Sequence, residues 1–173
     1  MEAPLHFTST LEISTNKLWG AHLPVPAPVA NTFLAEGAKR VVCKLNDTIE
    51  FQCALIPKGE GVYCIMVNKK IREQLGLKEG STARVSLHKD ESEYGLPMPE
   101  ELAEVLAQDE AGNRLFHTLP PGKLRTLLYI VGHVKNTEAR ISRAFTIVEH
   151  LKKNGGKIDY KALNVELKKS YEL

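Results

Sequence analysis

The chain predicts an α+β protein in two parts: a small closed β-barrel built from a repeated strand-helix-strand unit over residues 1–92, and an all-helical domain over residues 93–173. Three observations carry that reading. A strand, a short helical turn, a glycine and a second strand occur twice. The first copy runs from Leu23-Pro24-Val25 through Val29, Phe33 and Gly37 to Arg40-Val41-Val42-Cys43, the second from Cys64-Ile65-Met66-Val67 through Ile71, Leu75 and Gly80 to Arg84-Val85-Ser86-Leu87. Val25 maps to Val67, Val29 to Ile71 and Phe33 to Leu75 at a constant spacing of 42 residues, and two extra residues after Leu75 carry Val41 to Val85 at 44. Finally, strand-like segments end by His88, whereas beyond Pro99 apolar residues recur at helical spacing. Each copy of the repeat leaves half a hydrophobic face open that the other can close.

The elements follow in order. Residues 5–13 alternate apolar and polar side chains, residues 17–23 hold the one tryptophan, Trp19, and residues 40–45 are joined through Asn46-Asp47 to residues 48–56. Pro57-Lys58-Gly59-Glu60-Gly61 is a turn cluster before residues 62–67, and residues 83–88 close the set. Six short strands with two brief helical turns favour a barrel. Val29 and Phe33, like Ile71 and Leu75, stand four apart, so one turn of helix can plug a barrel end. Tyr94-Gly95-Leu96-Pro97-Met98-Pro99 is a linker, and Pro99 suits the first position of a helix with Leu102, Val105 and Leu106 on one face. Asp109 caps a short helix through Phe116, ended by Thr118-Leu119-Pro120-Pro121-Gly122. A third helix, over 123–134, gathers Leu124, Leu127, Leu128 and Val131. Asn136 or Thr137 then caps a longer helix whose Ile141, Ala144, Phe145, Val148 and Leu151 follow the 3.6 period, and Asn154-Gly155-Gly156 stops it. The tail from Asp159 forms one more helix through Tyr160, Leu163, Leu167 and Tyr171.

With 173 residues, 43% of them hydrophobic, the chain can bury roughly 70% of its unfolded surface. No apolar run approaches the ~18 residues of a membrane span, and Met1-Glu2-Ala3-Pro4 lacks the basic and apolar regions of a secretory signal, so no membrane association and a cytoplasmic location are expected. Cys43, Cys53 and Cys64 are odd in number and show no Cys-x-x-Cys spacing, which predicts reduced, partly buried thiols. The net charge of +2 is unevenly spread. Between Asp90 and Leu119 eight acids face one base, whereas from Pro120 onward eleven bases face five acids, which marks the C-terminal third as a candidate for anionic partners.

Enzyme signatures are missing. There is no Gly-x-Ser-x-Gly, no His-Glu-x-x-His and no phosphate-cradling glycine loop, and Lys58-Gly59-Glu60-Gly61 reads as a hairpin turn. His6, His22, His88, His117, His133 and His150 show no paired ligand spacing, so neither a metal nor a cofactor is expected. Glu100, Glu101 and Glu104 lie at a helix start, where carboxylates complement the macrodipole.

Val67-Asn68-Lys69-Lys70-Ile71-Arg72-Glu73-Gln74-Leu75-Gly76-Leu77-Lys78-Glu79-Gly80 resembles the strand-helix-strand unit of the AbrB/MazE swapped-hairpin proteins, in which two such units from two chains make a double-split β-barrel. Two units in one chain resemble a bacterial domain-of-unknown-function family that carries this barrel as an intramolecular duplication. The likeness covers about Leu5 to Asp90 and implies no catalytic residues. The second half is similar to the C-terminal part of the YdeI/OmpD-associated, bacteriocin-protection-like proteins. Phe116, Leu119, Leu128-Tyr129-Ile130, Lys135, Thr137 through Arg143, and Ile147 through Leu151 carry that similarity. It implies a link to envelope or antimicrobial-peptide stress. The adjacent arginine pair common in that family is here split into Arg140 and Arg143.

Two basic constellations are candidate sites. Lys135, Arg140 and Arg143, with His133 and Tyr129, flank a junction between helices where the second helix's N-terminal amides could hold a phosphate or carboxylate. Lys39, Arg40, Lys69, Lys70 and Arg72 lie on the turns that AbrB-like proteins bring to DNA. The expectation is a monomeric, non-enzymatic binding or stress-associated accessory protein whose partner, a small anion or a protein, is unspecified. A nucleic-acid-binding regulator is the first alternative. An enzyme with a site between barrel and helices, involving Tyr129, His133 and Trp19, is the second.

Overall fold

The computed structural model describes residues 2–14 and 20–170, and the chain divides into two compact units, Met1–Glu91 and Ser92–Leu173. The fold is α+β. In the first unit the order is β1 (Leu5–Thr10), β2 (Glu12–Ile13), β3 (Ala21–Val25), α1 (Ala27–Ala35), β4 (Arg40–Leu45), β5 (Ile49–Ala54), β6 (Ile56–Gly59), β7 (Val62–Met66), α2 (Lys69–Leu75) and β8 (Thr82–Lys89). All pairings are antiparallel, and they make two four-stranded sheets ordered β1-β8-β4-β5 and β2-β3-β7-β6. Among the described residues no ladder joins the two sheets into a closed barrel. The expected strand over 17–23 is described only from Gly20 onward; Trp19 lies outside the described residues, as does Tyr171.

The sheets are coupled through two corners. Only Leu11 separates β1 from β2, and only Leu55 separates β5 from β6, so each continuous stretch of chain leaves one sheet and enters the other. Both corner leucines are buried, and their amides donate to the Ser81 and Lys39 carbonyls at 2.8 Å. Leu23, Val25, Val41, Cys43, Leu45, Ile65, Val85 and Leu87 join them in one core, with Phe33 from α1 and Ile71 from α2. The β4–β5 turn works because Asn46 and Asp47 both accept positive φ, 49° and 57°, as a type I′ turn demands. Arg40 and Arg84 both lie on strands, in β4 and β8. Their carbonyls accept from the Asp90 and Asn46 amides, and the Arg84 guanidinium reaches the Asp47 carboxylate at 3.2 Å. All three cysteines are buried and free. A contact with the Cys53 thiol, and then burial, push the Cys43 thiol far above the usual range, so it behaves as an apolar filler.

The second unit holds five helices among the described residues: α3 (Glu100–Gln108), α4 (Glu110–His117), α5 (Pro121–Gly132), α6 (Thr137–Lys153) and α7 (Tyr160–Lys169). The caps explain the boundaries. Asp109 accepts from the Gly112 amide, Asn136 from Ala139, and Asp159 from Lys161 and Ala162. Pro99 stands one position earlier than predicted, at the N-cap of α3, and α5 begins at Pro121 rather than Lys123, since proline suits the first turn. α3, α4, α5 and α7 all pack against α6, around Leu102, Phe116, Leu127, Val131, Ala144, Ile147, Leu151 and Leu163. Of the α6 residues that share the 3.6 period, Ala144, Val148 and Leu151 are buried, whereas Ile141 and Phe145 stay 40% and 53% exposed. At about 100° per residue both lie to one side of the buried stripe, towards the nine-residue α3, which does not cover them.

Among the described residues two histidines are buried, His22 and His150, and both are satisfied. His22 meets the Glu12 carboxylate at 3.1 Å and the Gly20 carbonyl at 3.2 Å. His150 donates from Nδ1 to Glu166 at 2.8 Å and accepts the Asp159 amide at Nε2.

Candidate functional site

At the α5–α6 junction the structure assigns the two arginines a definite task. The last carbonyls of a helix lack intrahelical donors and carry the negative end of its dipole. Arg140 donates from Nη2 to the Gly132 carbonyl and from Nε to the Val134 carbonyl, each at 2.8 Å, and Arg143 donates from Nη1 to the Ile130 carbonyl at 2.8 Å. The Arg140 Nη1 also lies 3.5 Å from the Glu101 carboxylate. The α6 N-terminus already has the Asn136 side chain as an acceptor, and Glu138 places a negative charge in its first turn. Lys135 is exposed, and Tyr129 stacks on His133 with ring centroids 4.8 Å apart, at the surface. His133 Nδ1 donates to the Tyr129 carbonyl at 2.9 Å, which leaves Nε2 as the outward atom. The junction thus brings all five predicted residues into one neighbourhood, but both guanidiniums spend donors on α5.

The second predicted set is divided between two elements. Lys39 and Arg40 stand where β4 begins, Lys69 and Lys70 in the first turn of α2, and Arg72 further along it, before β8 begins. β4 and β8 are antiparallel, so the start of β4 and the start of β8 lie at opposite ends of the pair. Lys69 is also within 3.7 Å of Glu73.

A surface that periodicity did not reveal lies between α3 and α6. Val105 on α3 and Ile141 and Phe145 on α6 line a groove of about 510 Å³ whose remaining walls are Glu100, Glu101, Glu104, Gln108 and Thr137. Gln108 donates to Glu104 at 2.7 Å, which holds that carboxylate at the rim. A stripe in which every fourth residue is apolar looks the same whether a neighbour covers it or not. The signal available was the shortness of the acidic helix opposite.

Beside the groove, α6 is tied to the start of α4. The Lys152 ammonium lies 2.8 Å from both Asp109 and Glu149, and the Asp109 carboxylate also caps α4. The Lys152 ammonium, and then the Gly112 amide, hold the Asp109 carboxyl below the usual carboxylate range, and Lys152 is correspondingly raised. A carboxyl depressed on folding contributes stability above its unfolded value, about 3.9, and loses it as the pH falls through the folded value. Asp109→Asn keeps a capping side chain and removes the charge. It is therefore expected to destabilise the protein at neutral pH, with the difference from the parent closing in acid below about pH 4. Urea unfolding at several pH values checks this, and a gap that widens in acid overturns it.

The fold and these surfaces define a two-part protein with grooves and charged edges. Among the described residues no three His, Cys, Asp or Glu side chains are grouped to hold a metal ion, and no helix is long and apolar enough to cross a membrane. Residues 7–87 match the family model described as a domain of unknown function, DUF1905, and residues 96–154 match the model described as Bacteriocin-protection, YdeI or OmpD-Associated. No curated protein matches the chain.

Proposed function

We propose that this is a non-enzymatic bacterial accessory protein of the cytoplasm, which binds an apolar segment of a partner in the α3–α6 groove. The observation that carries the reading is the pair Ile141 and Phe145, left 40% and 53% exposed side by side with Val105 in one groove of the helical unit. Apolar side chains grouped in a groove and rimmed by polar ones mark interaction surfaces.

The strand unit serves as a scaffold, which we read as a double-split barrel made by internal duplication across residues 1–92. Supporting this, the order β1-β2-β3-α1-β4 recurs as β5-β6-β7-α2-β8, and exchanging the two halves maps each sheet onto itself. The two sequence spacings coincide with facing pairs: Leu23 lies opposite Ile65, 42 residues on, and Cys43 opposite Leu87, 44 residues on. Each half completes the other, so a monomer suffices.

A small-anion reading of the junction retains support from the exposed His133–Tyr129 stack beside Lys135. One titration of the full chain, followed by amide chemical shifts, separates the readings. Nile red is expected to shift α3 and α6 resonances, and Phe145→Ser to abolish the response. Shifts confined to residues 133–143 on adding phosphate would favour the anion site. Shifts at Lys39, Arg40, Lys69, Lys70 and Arg72 on adding duplex DNA, steeply weakened by salt, would favour the regulator.

A further inference from the structure

We infer that the occupant of the α3–α6 groove is a basic amphipathic α-helix of a partner protein or peptide, an inference that rests on the groove's being a binding surface. The first argument is charge. Glu100, Glu101 and Glu104 rim the α3 side. On α6, exposed Glu138 precedes Ile141 by three residues and exposed Glu149 follows Phe145 by four, so both lie close to the apolar stripe. The nearby cations are already committed: Arg140 to the Gly132 and Val134 carbonyls and Glu101, and Lys152 to Asp109 and Glu149. What the groove offers a partner is an apolar floor inside a negative rim.

The second argument is backbone chemistry. Both walls are helices, whose amides and carbonyls are bonded internally, so an extended segment would find no ladder there. A helix brings its own backbone satisfied and needs only side chains to dock. α3 is nine residues long, about 13 Å, which matches two to three turns of a partner with apolar residues at i, i+3 or i+4, and i+7. Lysines and arginines flanking that stripe can lay their stems on Phe145 and Ile141 and set their charges against the glutamates.

The third argument concerns the chain's own basic helix. α7 exposes Lys161, Lys168 and Lys169 but only Tyr160 and Val165 as large apolar side chains, and these stand five residues apart, about 140° around the helix, so they form no stripe to fill the groove. A second copy is therefore a poor occupant.

The test uses the full chain and three synthetic 18-residue peptides: a helix with leucine at i, i+3, i+4 and i+7 and lysine elsewhere, the same helix with glutamate for lysine, and a lysine peptide of scrambled order. The lysine helix is expected to bind at least tenfold more tightly than either other peptide, and Phe145→Ser to weaken it at least tenfold. Glu100→Lys combined with Glu104→Lys should reverse the preference towards the glutamate helix, since both residues are exposed and neither packs in the core. If Phe145→Ser weakens both charged helices equally and the double reversal changes nothing, the groove binds apolar segments without regard to charge; the present inference then falls while the binding surface stands. If Phe145→Ser leaves all binding unchanged, the surface itself is refuted. Concentration-dependent self-association abolished by Phe145→Ser would make a second copy the occupant and overturn the inference too.

Discussion

Leu11→Ala and Leu55→Ala are each expected to cost about 2–5 kcal/mol, the range for emptying a fully buried leucine site. The two leucines are 1% and 4% exposed and sit where β1 passes into β2 and β5 into β6. At such a corner one side chain fills the space between two sheets that no ladder connects, so neither sheet can close over the lost volume alone. The leucine amides are also fixed, to Ser81 and Lys39, which limits relaxation of the corner. If the two halves are copies, the two substitutions should cost the same within about 1 kcal/mol, a spread small against that range. A chain that closes its own sheets should also show a urea midpoint that does not move with protein concentration, unlike an obligate dimer. One corner tolerating alanine freely would refute the equivalence, and a midpoint that rises with concentration would refute closure within one chain.

What the residues disclosed and what they hid follow from how local each determinant is. Helix ends were legible because capping is a three-residue matter: Asp109 could be read directly and Asn136 as one of two adjacent candidates with Thr137, and both Asp109 and Asn136 do cap. The two strand-helix-strand units were legible for the same reason. The corners were not, since alternation runs straight through Leu11 and Leu55 and only pairing shows that a strand has changed sheets. At the α5–α6 junction the sequence grouped residues that do lie together, and their partners lay outside its reach. Arg140 and Arg143 look like ligands waiting at a helix start until the carbonyls of Ile130, Gly132 and Val134 are seen to point at them. Ile141 and Phe145 mislead in the opposite sense: their spacing promises burial, and whether a neighbouring helix is long enough to supply it is a property of the tertiary structure.

Gly112→Ala should destabilise the protein by about 1–3 kcal/mol, the cost of overpacking a filled site, although the same change in an open helix would be favourable by about 1 kcal/mol. Gly112 lies in the first turn of α4, buried against α6, and a β-carbon there would stand 2.4 Å from Val148 Cγ1 and 3.2 Å from the Asp109 carboxyl group. The first distance is far inside contact, and the atom it meets belongs to a β-branched side chain with one strongly preferred rotamer in a helix. Val148 cannot swing aside, so relief must come from separating α4 and α6. That separation strains the bond from Lys152 to Asp109, and the new methyl also crowds the Asp109 carboxyl that caps α4. Val148→Ala deletes the obstructing methyl at the price of a small cavity, which the new methyl at 112 would partly fill. The double variant should therefore be more stable than the sum of the single losses predicts, by about 0.5–3 kcal/mol, the range for residues in direct contact. Urea unfolding of the four proteins measures the coupling. Strict additivity would mean that the two helices do not meet at Gly112, and a stabilising Gly112→Ala would mean that helix propensity outweighs the contact.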